Sequence, residues 1–232
     1  MATELRVQYS EEISRLQEKI LEMAVCADSM LAASVDSLIS GDLEQIRSVV
    51  SQDDIVDNFD IEIEMKCLNL IATQQPVAHD LRVIGTALKV ITDIERIADY
   101  AVDIAKIGRR LARKGEIYHP LVDLPLLTSL TRAMMHDALQ AFVHHDLDLV
   151  EKVIQDDDAV DNLYHQMRED LTTVIQENNR SVLALNLMFA AKYLERVSDH
   201  IVNIAERVYF IEKGVLHQLA ASHLSNSDEL TN

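Results

Sequence analysis

The feature that most constrains this chain is that it writes one helical phrase twice. "TDIERIADYAVDIAK" (Thr92 to Lys106) returns as "KYLERVSDHIVNIAE" (Lys192 to Glu206), with Glu195 standing 100 positions after Glu95. "QDDIVDN" (Gln52 to Asn58) returns as "DDDAVDN" (Asp156 to Asn162), with Asp161 standing 104 positions after Asp57. Self-similarity at a fixed period marks a duplicated supersecondary unit. Each copy holds an ordered pair of helical segments, so the fold is built from two similar halves.

Apolar residues recur at helical spacing throughout. Tyr9, Ile13, Leu16, Ile20, Met23, Ala27 and Met30 follow alternating steps of four and three, a coiled-coil-like seam on one long helix. "SGD" at residues 40–42 breaks it, and Asp42 is placed to cap a second helix, with Gln45 completing a capping box. That helix runs to about Thr73. "TQQPVAHD" turns the chain, with Pro76 in the first turn of a third helix that reaches Lys114 and stops at Gly115. The second half repeats the plan. A helix ends near His145, Asp146 takes the place of Asp42, a fifth helix reaches Glu177, and a sixth ends at Gly214.

Only five Gly and three Pro occur in 232 residues, too few turn-formers for a sheet protein. The fold class is therefore all-α: two tandem three-helix repeats, six long helices packed side by side. The first spans residues 1–115, the second 116–214, and 215–232 form a C-terminal tail expected to fray. The change in offset from 104 to 100 is about one helical turn and is assigned to the "TQQPVAHD" turn.

The net charge of −18 disfavours nucleic-acid binding and favours cations or basic partner surfaces. Cys26 and Cys67 stand alone, which fits core thiols in a reducing compartment. The first residues, "MATELRVQYSEE", hold no apolar run, so no signal peptide is expected, and the most apolar stretch, "VLALNLMFAA", is too short to cross a bilayer, so no direct membrane insertion is expected.

The acids are the chemistry. With Glu95 at zero on a helical wheel of about 100° per residue, Asp99 lies near 40° and Asp103 near 80°, bordering the apolar stripe. Asp93 falls near 160° and is expected to be solvated. On the preceding helix Asp53 and Asp57 flank the stripe, and Asp157, Asp161, Glu195 and Asp199 reproduce the set in the second half. Carboxylates four apart on one face repel, so something positive must offset them. Arg96 and Arg196 could do so by bridging to a neighbouring helix. The alternative is a bound metal, since carboxylate oxygens hold Mg²⁺, Mn²⁺, Fe²⁺ or Zn²⁺ and can bridge several ions. The halves differ: Asp103 becomes Asn203, and Asp60 and Glu64 become Tyr164 and Arg168, so the second site should bind more weakly or hold fewer ions.

"QPVAHDLR" (Gln75 to Arg82), followed by "DIERIADYAVDIA" and "LERVSDHIVNIAE", resembles the PhoU family of phosphate-signalling regulators over nearly the whole chain. The second turn, "ENNRSVLALN", lacks the Q-P-V-A-x-D-L-R pattern. The resemblance implies a cytoplasmic, non-enzymatic adaptor that represses the phosphate-starvation response. It would link a phosphate ABC transporter and its ATPase to a PhoR-type sensor histidine kinase. Separately, the coiled-coil-like packing makes a homodimer the expected assembly, unless the first-helix seam is fully used inside one chain. The resemblance also implies iron or zinc clusters, with manganese a further candidate, on Asp53, Asp57, Glu95, Asp99, Asp103, Asp157, Asp161, Glu195 and Asp199.

Two other classes compete. A carboxylate-bridged metal store or di-metal oxidase normally uses E-x-x-H, whereas Glu95 and Glu195 are followed three places on by Ala98 and Ser198. A histidine kinase is disfavoured because the chain offers no Gly-rich ATP-binding loop, which leaves a pure His phosphotransfer module using His79 in "HDLR" as the alternative. His200 reads as a partner-facing or capping residue, not a ligand.

Overall fold

The computed structural model describes residues 2–116, 118–177, 180–216 and 218–219. Six helices account for almost all of them: α1 (Ala2–Ser40), α2 (Leu43–Gln74), α3 (His79–Arg113), α4 (Leu124–His144), α5 (Leu147–Gln176) and α6 (Ser181–Lys213). No strand occurs among the described residues. The fold is the expected pair of three-helix repeats.

The helix starts are chemically matched. Asp42 Oδ1 accepts the amides of Glu44 and Gln45 at 2.9 and 3.2 Å. Asp146 Oδ1 accepts those of Asp148 and Leu149 at the same two distances. Each carboxylate satisfies amides that have no partner inside the helix and sits at the positive end of its dipole. At the other ends Gly115 and Gly214 take φ of 68° and 70°, the left-handed conformation that lets a chain leave a helix.

Pro76 does not sit in the first turn of α3. The helix begins at His79, and Gln75 and Ala78 take φ of 48° and 46°, so the chain bends on both sides of the proline before the helix starts. The offset between repeats is also placed differently from expectation. The α2–α3 and α5–α6 connections, 75–78 and 177–180, are equally long. The additional residues of the first half lie within the helices, in a longer α2 and a longer N-terminal part of α3.

Helix α3 packs on α1, α2 and α6, and α6 packs on α3, α4 and α5, so these two helices are the spine of the molecule. They run antiparallel. Arg82 Nε donates to the Ile211 carbonyl at 3.0 Å, Tyr100 stacks on Tyr193 with ring centroids 5.6 Å apart, and Arg110 Nη1 donates to Asn186 Oδ1 at 3.4 Å. Ala98, Ala101, Ala105, Ala190, Ala191 and Ala205, on these two helices, are all buried. Away from the spine, Arg132 ties α4 to α1 through two 2.7 Å bonds to Asp28.

The α1 seam is used inside the chain. Leu16, Ile20, Met23, Ala27 and Met30 are at most 1% exposed. Burying each large apolar side chain stabilises the fold by roughly 1.5–3 kcal/mol. Residues Glu11–Ser40 are long and apolar enough to cross a membrane, but half of their most apolar window is buried in the bundle. A homodimer would need a face other than this seam. Cys67 is buried and Cys26 partly so. Of the tail, residues 217 and 220–232 lie outside the described residues, while the Leu219 amide bonds Glu206 Oε1 at 2.5 Å.

Candidate metal centre

In each repeat the second and third helices bring their acids to one shared flank. In the first repeat Asp53, Asp60 and Glu95 are partly buried, and Asp57 is exposed beside them. The carboxyl of Asp53 is held above its usual range by burial and by the charges of Asp57 and Asp99. Glu95 is raised by burial and by Asp99, Asp60 and Asp57, against a lowering influence from Arg96. Asp60 is raised by burial and by Glu64 and Asp57. Asp53, Asp57, Glu95 and Asp99 thus form one mutually repelling group across α2 and α3.

Asp60 belongs to that group, although the sequence pattern alone did not assign it as a ligand. It lies three residues after Asp57, one turn further along α2. Asp103 sits at the other end of the ladder, where Lys106 Nζ donates to it at 3.0 Å. Arg96 does not reach a neighbouring helix. It pairs within α3, with Asp99 at 2.8 Å and Glu95 at 3.4 Å.

The second repeat is built differently. Asp161 is raised by burial and by Asp199, and Glu195 by burial and by Asp199 and Asp161. Here a lysine lies among the acids. Lys192 Nζ donates to both oxygens of Glu195 at 2.5 Å and stands 5.3 Å from the centre of the Tyr164 ring. At the matching positions the first repeat has Thr92 and Asp60. The second ladder therefore gains an internal cation in place of Thr92 and lacks the further anion that Asp60 gives the first. The sequence pattern alone did not assign this lysine, although the i, i+3 spacing of Lys192 and Glu195 is a local signal for such a pair. Asp157 is 2% exposed, the most buried of the nine predicted ligands.

The donor set fits a hard or borderline cation, since it offers carboxylate oxygens and no thiolate. The fit is better in the first repeat, where the charge is uncompensated except by exposed Arg96 and Lys106. Among the described residues no three such side chains converge closely enough to hold an ion as they stand. Holding one would require the acids to turn from Arg96 and Lys106 toward one another.

Two residues differ from their expected roles. Asp93 is not solvated. Its side chain is 14% exposed, and its Oδ1 lies 2.9 Å from His200 Nδ1 and accepts from Asn203 Nδ2 at 3.2 Å. His200 accordingly faces the other repeat and not an outside partner. The cause is the α3–α6 contact, which covers a flank that one helix considered alone leaves to water. His79, the residue of the phosphotransfer alternative, is exposed at the start of α3, its ring 6.0 Å from that of His145.

Comparison with known proteins agrees with the duplicated architecture. The family model described as PhoU domain matches twice, over residues 20–108 and 124–208. A phosphate-specific transport system accessory protein PhoU homolog from Clostridium acetobutylicum is 35% identical over 209 residues, covering 89% of this chain and 94% of that protein. The homolog from Aquifex aeolicus is 33% identical, covering 90% and 95%. The crystal structure of PhoU from Pseudomonas aeruginosa is 31% identical, with a TM-score of 0.84 over 89% of this chain and 100% of that one. PhoU from Streptococcus pneumoniae, 24% identical, superposes with the same TM-score and supports the fold.

Proposed function

The chain belongs to the PhoU family, and from that premise we propose that it is the regulatory accessory protein of a phosphate-specific transport system. In this reading it is a cytoplasmic, non-enzymatic adaptor. It represses phosphate uptake and the phosphate-starvation response by contacting the ATPase of a phosphate ABC transporter and a PhoR-type sensor histidine kinase. The observation that carries the reading is the coverage of the likeness. Both halves match the family model, and relatives named as accessory proteins of phosphate-specific transport align along almost their entire length.

Metal would act on the first acid ladder. Asp53, Asp57, Asp60, Glu95 and Asp99 would hold an iron, zinc or manganese ion, and a bound cation would offer open coordination positions to an anion. The second ladder, with Asp157, Asp161, Glu195 and Asp199, would bind more weakly because Lys192 already neutralises Glu195. Asp103 would join the first site only after leaving Lys106.

The test is genetic and analytical. Deleting the chromosomal copy should derepress alkaline phosphatase in high phosphate, and the wild-type gene should restore repression. Elemental analysis of protein purified without chelator or added metal then tests the metal separately. Unchanged phosphatase in the deletion strain would sink the regulatory reading, whatever the metal content.

A further inference from the structure

Residues that only maintain a duplicated fold should be similar at the two ends of the α3–α6 spine. They are not. At one end, where α3 finishes beside the start of α6, Lys106, Arg109, Arg110, Arg113 and Lys114 line a shallow concavity. No acid lines it, on a chain of net charge −18. The five occupy an arc of about 140° on the last turns of α3. Next to them Val182, Leu185 and Phe189 stand 48%, 47% and 48% exposed on one face of α6. Arg110, bonded to Asn186, joins the two groups.

At the other end, the positions matching the cations are Glu206, Tyr209, Phe210, Lys213 and Gly214. Those matching the apolar trio are Arg82, Gly85 and Lys89. Cations near a helix C-terminus complement its dipole, but α6 ends with Lys213 alone in its last turn, so its end forms without such a cluster. Lys106 is held by Asp103 and Arg110 by Asn186, so fold maintenance leaves Arg109, Arg113, Lys114 and the apolar trio unexplained.

We propose that this end of the spine is a docking surface for an acidic amphipathic helix of a partner protein. Its carboxylates would lie on the α3 cations and its apolar face on Val182, Leu185 and Phe189. Spacing of i, i+3 and i+7 presents the apolar trio as one ridge, the form in which a helix is read by another surface. Charge complementarity selects the occupant. An extended anionic lipid surface would also meet the surrounding negative charge of this chain, whereas a single helix can confine its acids to the cationic concavity. The inference deepens the adaptor reading by giving the adaptor a site. It needs only purified protein, so its failure and that of the genetic test are separable.

The probe is a fluorescent synthetic helix with leucines on one face and glutamates on the other, with a lysine-for-glutamate counterpart as control. Anisotropy titrations should find the acidic helix bound at least about tenfold tighter than the basic one, a preference opposite to that set by the net charge. Arg109→Glu with Arg113→Glu should reverse this preference. Leu185→Gln with Phe189→Gln should weaken the acidic helix by about tenfold while circular dichroism and Tm stay unchanged. Equal binding of the two helices, or unaltered affinity in both double variants, would overturn the proposal. So would association with phosphatidylglycerol vesicles without helix binding, which would assign the surface to lipid. Loss of a wild-type dimer in either double variant by sedimentation, without helix binding, would assign it to a second copy and equally overturn it.

Discussion

Asp93 and His200 meet 2.9 Å apart across the α3–α6 spine, and their contact is the pseudo-symmetric counterpart of the Tyr100–Tyr193 stack. Under the 100-residue offset Asp93 corresponds to Tyr193 and Tyr100 to His200. One seam position is thus filled once by a polar pair and once by two rings. Tyr100 and His200, which correspond to each other, also lie within 5.8 Å. Duplication preserved the backbone crossing and let the two side-chain solutions diverge.

This pairing makes the spine sensitive at His200. His200→Ala should destabilise the protein by about 1–2 kcal/mol, because Asp93, largely shielded from water, would retain Asn203 as its one remaining bond across the seam. Urea denaturation of the single and double variants with Asp93→Ala checks this. The double variant should lose less than the sum of the singles if the pair is coupled.

Gly108 sets the distance between α1 and α3. A Cβ there would meet the Leu38 Cα at 2.9 Å and its nitrogen at 3.3 Å, both backbone atoms that cannot rotate away. Gly108→Ala should therefore lower stability by about 1–3 kcal/mol despite alanine's better helix propensity. A thermal melt of the variant matching or exceeding wild type would refute this close approach.

The first acid ladder gives a pH dependence with a definite sign. Burial and neighbouring carboxylates raise Asp53, Asp60 and Glu95 above their ordinary values in the folded chain. Between the ordinary and raised values the folded state binds more protons than the unfolded one. These groups therefore make stability fall as pH rises through that window. In chelator, Tm should respond less to a shift from about pH 4 to about pH 7 in Asp60→Asn than in wild type. At neutral pH the variant should be more stable by roughly 0.2–0.5 kcal/mol for each repelling pair relieved, and calorimetry with Mn²⁺ should find weaker binding.

Much of this molecule was legible in its sequence because the signals are local and repeated. The i, i+3, i+4 spacing from Leu16 to Met30, the Asp42 and Asp146 caps and the stops at Gly115 and Gly214 depend on a few adjacent residues. What escaped depends on a second helix or on backbone torsions. Asp93 looked solvated because a single wheel contains no α6. Yet Asp93 and Tyr100 are seven apart, as are Tyr193 and His200, and that shared spacing marked a seam. Pro76 looked like a helix start because the positive φ of Ala78 leaves no mark in its side chain. Of the candidate site, the ladders were readable, while the pairing of Lys192 with Glu195 was not, because Arg96 and Arg196, directly after the glutamates, were the expected cations.

Lys192 is where the two repeats can be made to exchange character. It supplies the second ladder with a positive charge on Glu195, and Thr92 supplies none at the matching position. Lys192→Thr should expose the charges of Asp161, Glu195 and Asp199 to one another, so the metal-free variant should lose stability at neutral pH. Added Mn²⁺ should recover that loss, since an ion that binds only the folded state raises Tm in proportion to the logarithm of its concentration. The reciprocal change, Thr92→Lys, places an ammonium three residues before Glu95 and should weaken Mn²⁺ binding at the first ladder. Calorimetric titration of both variants decides the matter. If Lys192→Thr gains no Mn²⁺ binding while Thr92→Lys loses none, internal neutralisation is not what distinguishes the two ladders.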